Sequence, residues 1–70
     1  MRYIYVVEKA MDGSFSAYVP DLPGCTTSGE TLDETKRNIK TAVEVYVESL
    51  REQQEPIPAP SSIADVVDAA

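Results

Sequence analysis

The fold is decided by residues 3–20, Tyr3-Ile4-Tyr5-Val6-Val7-Glu8-Lys9-Ala10-Met11-Asp12-Gly13-Ser14-Phe15-Ser16-Ala17-Tyr18-Val19-Pro20. The runs on either side of Met11-Asp12-Gly13-Ser14 are rich in Tyr, Val, Ile and Phe. They read as strands, Tyr3 to Ala10 and Ser14 to Pro20. Asp-Gly between two such runs is the usual sequence of a type I′ hairpin turn, whose central residues both need positive φ. With Asp12 and Gly13 at that centre, Ala10 faces Phe15, Glu8 faces Ala17 and Val6 faces Val19. This register places Ile4, Val6, Ala10, Phe15, Ala17 and Val19 on one face. Tyr3, Tyr5, Val7 and Tyr18 share the other, with Lys9 and Ser16. An antiparallel sheet usually turns one polar face to water. A face built on three tyrosines and a valine is expected to be an oligomer interface instead, since tyrosine buries a large ring and keeps its hydroxyl wet. High β-propensity and tolerance of water are the other reason for tyrosine there, and the residues leave both open.

Pro20 stops the second strand. Asp21-Leu22-Pro23-Gly24 follows, with Pro and Gly at the central positions of a type II turn. Cys25-Thr26-Thr27-Ser28, bounded by glycines, suits a third strand at the sheet edge. Thr31 and Glu34 then fit a capping box, the Thr side chain capping a free backbone N–H at a helix start. Leu32, Ile39, Val43, Tyr46 and Leu50 recur at helical spacing, and Ala42, Val45 and Val47 widen the stripe. The helix is expected to run to about Gln54, because Pro56 ends it. It should pack across the Ile4–Val19 face. The predicted fold class is therefore α+β, an antiparallel β-β-β sheet with one long helix on one face. Pro56-Ile57-Pro58-Ala59-Pro60 must be extended, as alternate prolines permit neither helix nor central strand. Ser62-Ile63-Ala64-Asp65 resembles another helix start, and Ile63, Val66, Val67 and Ala70 have helical spacing. A short terminal helix is favoured, with a strand over 63–67 as the alternative. Residues 1–55 form the core and 56–70 a segment of the same domain.

Seventy residues make one domain at most. A chain this short usually needs a staple, a metal or a second subunit. One cysteine and no histidine exclude an intrachain disulfide and a zinc cage. Oligomerisation, as a dimer or tetramer, or a partner protein remains as the extra source of burial. The absence of histidine also removes Ser-His-Asp and Cys-His nucleophilic systems. Three glycines supply no phosphate-binding loop. A net charge of −6 disfavours direct nucleic-acid binding and suits a basic partner. Only five apolar residues follow Arg2 before Glu8, too few for a signal-peptide core or a membrane span. The lone Cys25 suits a reducing compartment, so the expected location is cytoplasmic, without membrane contact.

The acids carry the remaining signal. Glu44, Glu48, Glu52 and Glu55 recur at spacings of four, four and three along one side of the helix's second half. Like charges so placed destabilise a helix slightly and oppose its dipole. The strip reads as a docking site for a basic protein, or as a solvated face eased by Lys40–Glu44 and Arg51–Glu55 pairs. Glu8, Asp12 and Asp21 are the best carboxylates for a metal-dependent nuclease, but the turn explains Asp12 and the loop explains Asp21. No metal, cofactor or catalytic residue is expected. Cys25, with no base beside it, reads as a small buried hydrophobe.

The ordered set Val19-Pro20-Asp21-Leu22-Pro23-Gly24-Cys25, Gly29-Glu30-Thr31-Leu32-Asp33-Glu34, Asn38 and Glu55-Pro56-Ile57-Pro58-Ala59-Pro60-Ser61 is similar to the HicB-like antitoxins and their short relatives. The resemblance implies a β-β-β-α core like a partial ribonuclease H fold, normally without ribonuclease activity. It implies a non-enzymatic protein that occludes a small basic ribonuclease toxin of the HicA type and forms dimers or larger assemblies. Fuller members repress their own operon through a C-terminal DNA-binding domain, which this sequence does not show. The loop Pro20, Asp21, Leu22, Pro23 and Gly24 carries over, with the acidic, toxin-facing character. Thr35 stands where many relatives have Ala, and Gln53-Gln54-Glu55 lacks the glycine often found at the helix tip. Without a toxin, the chain would be an orphan homo-oligomeric module.

Overall fold

The computed structural model describes residues 1–69. Three short strands, β1 (Val6–Lys9), β2 (Phe15–Tyr18) and β3 (Thr26–Gly29), precede one long helix, α1 (Leu32–Glu52). The strands form an antiparallel sheet in the order β1-β2-β3. The α+β expectation and the edge position of β3 are both met. No helix among the described residues is long and apolar enough to cross a membrane.

The hairpin register differs from the expected one by a single residue. Lys9 pairs with Phe15, Val7 with Ala17 and Val6 with Tyr18. The loop therefore holds three residues, Met11, Asp12 and Gly13. The Gly13 amide donates to the Ala10 carbonyl at 3.0 Å, and the Ala10 amide to the Ser14 carbonyl at 2.8 Å. Only Gly13 takes a positive φ, +91°. This is the three-residue pattern of a tight turn followed by a left-handed glycine, rather than the two-residue type I′ turn. The cause lies in Asp12. Its Oδ1 accepts the Ser14 amide at 3.0 Å and the Ser14 hydroxyl at 2.6 Å. Those bonds favour an ordinary turn backbone for Asp12 and hold its carboxyl below the usual range, the hydroxyl having the larger effect.

A shift of one residue turns every side chain of β1 to the other face. Val7 and Tyr3, not Ile4 and Val6, join Ala17 and Val19 against the helix. The set Tyr3, Tyr5, Val7 and Tyr18 is therefore split. Tyr3 and Val7 pack on the core, whereas Tyr18 stands opposite Val6 on the outer face. Tyr5 precedes β1 and is 40% exposed.

The core is small: Ala17, Val19, Leu22, Cys25 and Ile39, with Ala42, Val43, Tyr46 and Val47 packed against it. Thr35 is buried on the same side of the helix and donates its hydroxyl to the Thr31 carbonyl at 2.8 Å. Two members of the expected stripe lie elsewhere. Leu32 is 41% and Val45 64% exposed, because the buried arc runs through 35, 39, 42, 43, 46 and 47. The polar Thr35 takes the place expected of an aliphatic residue.

Gly29 allows this approach. A Cβ there would sit 2.5 Å from the Thr35 hydroxyl and 3.0 Å from its backbone nitrogen. The Asn38 side-chain amide also donates to the Ser28 carbonyl at 2.9 Å, tying α1 to β3. At the N-terminus, Thr31 Oγ1 accepts the Glu34 amide at 3.1 Å, as the capping box requires.

The helix ends at Glu52, two residues before the expected limit, with Gln53 as its cap. The Gln54 amide donates to Arg51 and the Glu55 amide to Leu50, at 3.0 and 2.9 Å. These two bonds make a Schellman motif, whose left-handed position usually holds glycine. Here Gln54 occupies it at φ +57°. From Pro56 to residue 69 the backbone carries neither helix nor strand. The terminal helix or strand is absent: residues 63–69 have neither structure, and Ala70 lies outside the described residues.

Two stability outcomes follow, both measured by urea denaturation. Gly29→Ala should destabilise by about 1–3 kcal/mol through overpacking against Thr35, with part of the loss restored by Thr35→Ala. Gln54→Gly should stabilise by about 0.5–1 kcal/mol, by removing the left-handed strain of a residue with a Cβ.

Candidate partner-binding surface

Two regions stand out for chemistry, the loop between β2 and β3 and the outer face of α1. In the loop, the Leu22 amide donates to the Val19 carbonyl at 3.2 Å and the Cys25 amide to Leu22 at 3.0 Å. These are consecutive turns that share Leu22. Gly24 has φ +81°, so the Leu22–Cys25 turn is the expected type II. Leu22 is fully buried and so plugs the core from the loop. Tyr46 of the helix donates to the Pro23 carbonyl at 2.8 Å. Burial pushes the Cys25 thiol up, which suits a packing residue rather than a nucleophile.

Asp21 is a clamp. Its carboxylate accepts the amides of Ser61 and Ser62, both at 2.9 Å, and their hydroxyls at 3.1 and 2.8 Å. The Ser62 amide first, then the Ser61 amide, draws its carboxyl down from 3.8 to about 2. Tyr3 donates its hydroxyl to the Pro58 carbonyl on the same segment. The loop thus binds this chain's own Ser61 and Ser62, while Tyr3 holds Pro58.

The three carboxylates considered for metal chemistry do not converge. Asp12 turns the hairpin before β2 and Asp21 follows the other end of that strand, while Glu8 lies in β1 opposite Ser16. No group of three His, Cys, Asp or Glu among the described residues could hold a metal ion.

On α1, Glu44, Glu48 and Glu52 are exposed and line one shallow depression of about 420 Å³ with Val45 and Ser49. Glu44 and Glu48 also border a second groove of about 320 Å³, floored by Met1, Tyr3, Val43 and Val47 and edged by Arg51. Glu55 is not part of the helical strip, because it lies beyond the Gln53 cap. The expected Arg51–Glu55 and Lys40–Glu44 pairs are not formed among the described residues. Arg51 instead reaches Glu48 at 4.0 Å, with both side chains more than 60% exposed. Such a pair is worth little and leaves the acidic field of the face largely intact. The loop between β2 and β3 and the outer sheet face carry no comparable charge.

The Asp21 clamp has a pH signature. A depressed folded-state value means that protonation favours the open clamp. Its contribution is complete above about pH 4 and fades as pH falls toward 2. Hydrogen exchange should show the Ser61 and Ser62 amides protected at neutral pH and unprotected in Asp21→Ala, with the helix amides unchanged.

Comparisons agree with this geometry. Residues 3–70 match the sequence profile of the family described as "HicB_like antitoxin of bacterial toxin-antitoxin system". A UPF0150 protein of Thermoplasma acidophilum, Ta0767, is 45% identical over 58 residues, 83% of this chain and 84% of that one. A UPF0150 protein of Synechocystis, ssr1765, is 41% identical over 57 residues, 81% of this chain and 72% of the other. The crystal structure of the N-terminal domain of Burkholderia pseudomallei antitoxin HicB superposes with a TM-score of 0.76 at 32% identity, covering 84% of this chain and 69% of that one. With its sheet order, its long helix and nearly its whole length accounted for, the chain belongs to the HicB-like antitoxin family.

Proposed function

We propose that this domain binds a small basic ribonuclease of the HicA type and occludes its RNA-binding surface, without catalysis of its own. The observation that carries the reading is the row Glu44, Glu48 and Glu52 on the exposed side of α1, with one weak internal ion pair. Carboxylates four residues apart stack along a helix face. They repeat negative charge along a line, as RNA phosphates do, and so compete for the same cationic surface. Family membership supports the antitoxin role, and the net charge of −6 supports a basic partner. The protein would act in the cytoplasm, where RNA is the toxin's target.

A second reading, self-association, is favoured by the surface area. The chain exposes 5495 Å². A compact protein of this mass exposes about 4,300 Å². The seat proposed for it is the outer sheet face, where Val6, Tyr18 and Thr26 form one row across the three strands. Tyr18 keeps its place in that interface, while Val6 replaces Val7 and Tyr3.

RNA cleavage by a purified HicA-type ribonuclease tests the first reading. Equimolar chain should abolish cleavage; full cleavage in excess chain would rule the occlusion out. Replacing Glu44, Glu48 and Glu52 together by Gln should slow association by about tenfold or more at low salt and flatten its salt dependence. Folding stability should hold or rise slightly, because these acids oppose the helix dipole.

A further inference from the structure

Ile63, Val66 and Val67 are each more than nine-tenths exposed, at 92%, 93% and 92%. Their spacing is that of one helix face, with Ala64, Asp65 and Asp68 on the opposite side. Ser62 and Asp65 have the spacing of a helix-start pair. Yet residues 63–69 are not helical. The Asp65 carboxylate takes the adjacent Val66 amide at 2.7 Å instead. A helix of two turns does not stand alone in water, because its nucleation cost exceeds what so few bonds return. The segment has the pattern of an amphipathic helix, yet its apolar side chains rest on no part of their own domain.

The size of the molecule says how much surface is uncovered. Its radius of gyration is 13.6 Å. About 11 Å is expected for a compact chain of this length. The surface exceeds that of a compact protein by about 1,200 Å², more than the roughly 800 Å² each partner buries in a stable complex. Three apolar places on the domain could receive the segment. Val45 on α1 lies among Glu44, Glu48 and Glu52, and the groove of Met1, Tyr3, Val43 and Val47 is bordered by Glu44 and Glu48, acids that repel Asp65 and Asp68. The third is the outer sheet row of Val6, Tyr18 and Thr26. It is bordered by Ser16 and Ser28, with Glu8 the one acid of the adjoining row. Charge therefore selects the sheet.

We propose that residues 63–69 of one copy fold into an amphipathic helix on the outer sheet face of a second copy, seating Ile63, Val66 and Val67 against Val6 and Tyr18. The arrangement rests on the self-association proposed above and names the element that drives it. Exchanged reciprocally, two such helices give a symmetric dimer in which each sheet is covered on both faces. The Asp21 clamp fixes the root of the segment, so less of its freedom is lost on docking.

Sedimentation equilibrium of the full chain tests this. The unaltered chain should be a dimer or a multiple of one. Ile63→Ser/Val66→Ser/Val67→Ser should weaken self-association by at least about a hundredfold while keeping the helix signal in circular dichroism. An unaltered chain that is monomeric throughout would overturn both the docking and the self-association. An oligomer that the triple substitution leaves equally tight would overturn the docking alone. The seat is tested by mixing two Cys25→Ser chains, one carrying Val67→Cys and the other Tyr18→Cys. A disulfide between the two copies supports the outer sheet, and its absence under oxidation overturns that placement.

Discussion

The face of β1 that meets the helix is set by three residues, Met11, Asp12 and Gly13. Asp12 holds the Ser14 amide and hydroxyl, and Gly13 alone takes a left-handed backbone. That turn aligns Val7 with Ala17 and turns Val6 away with Tyr18. Everything packed on the sheet depends on this choice, because strand side chains alternate and cannot be redistributed once the register is fixed. Tyr3 enters the core side by the same parity and there meets Pro58. The outer face receives an apolar row that one helix cannot also cover.

A core this small relies on fastenings. Leu22 and Ile39 are its largest fully buried apolar side chains. Around them, hydrogen bonds between distant parts of the chain take over some of the positioning: Asn38 to Ser28, Tyr46 to Pro23, Asp21 to Ser61 and Ser62. Each joins a side chain to backbone that would otherwise stay unpaired or wet. The helix lies low on β3 because Gly29 has no Cβ and Thr35 fits the gap with its hydroxyl satisfied. The family loop Pro20–Gly24 has its place in this scheme. It plugs the core with Leu22 and clamps the chain with Asp21, so its sequence is explained by architecture.

With the loop taken up by the architecture, the surface proposed for a partner is the helix's outer face. Glu44, Glu48 and Glu52 are exposed there, on an element held rigidly by its opposite side. A rigid row of charge suits recognition of a cationic surface, since little side-chain and backbone freedom remains to be lost on binding. The antitoxin family supplies the biological setting for such a surface. The outer sheet face is a separate surface, uncharged along its apolar row. Contact with a toxin and contact between copies would therefore not compete for the same residues.

The sequence by itself determined the kinds of element and their order. Strand-forming runs, the Pro23-Gly24 turn, the Thr31 cap and Pro56 are local signals, readable from neighbours a few residues apart. It also carried the family resemblance, because the loop and the helix start keep residue types that the backbone demands. The acidic strip was legible up to Glu52, whereas Glu55 was lost to the Gln54 turn, where a residue other than glycine adopts the left-handed backbone. Only the tertiary structure decided the register, since two- and three-residue loops both suit Asp-Gly and differ in bonds to Ser14. It alone placed Thr35 in the core, because a polar residue is buried only where its hydroxyl finds a partner and Gly29 leaves room. And it alone showed residues 63–69 without a helix, because so short an amphipathic pattern becomes structure only when another surface covers its apolar side.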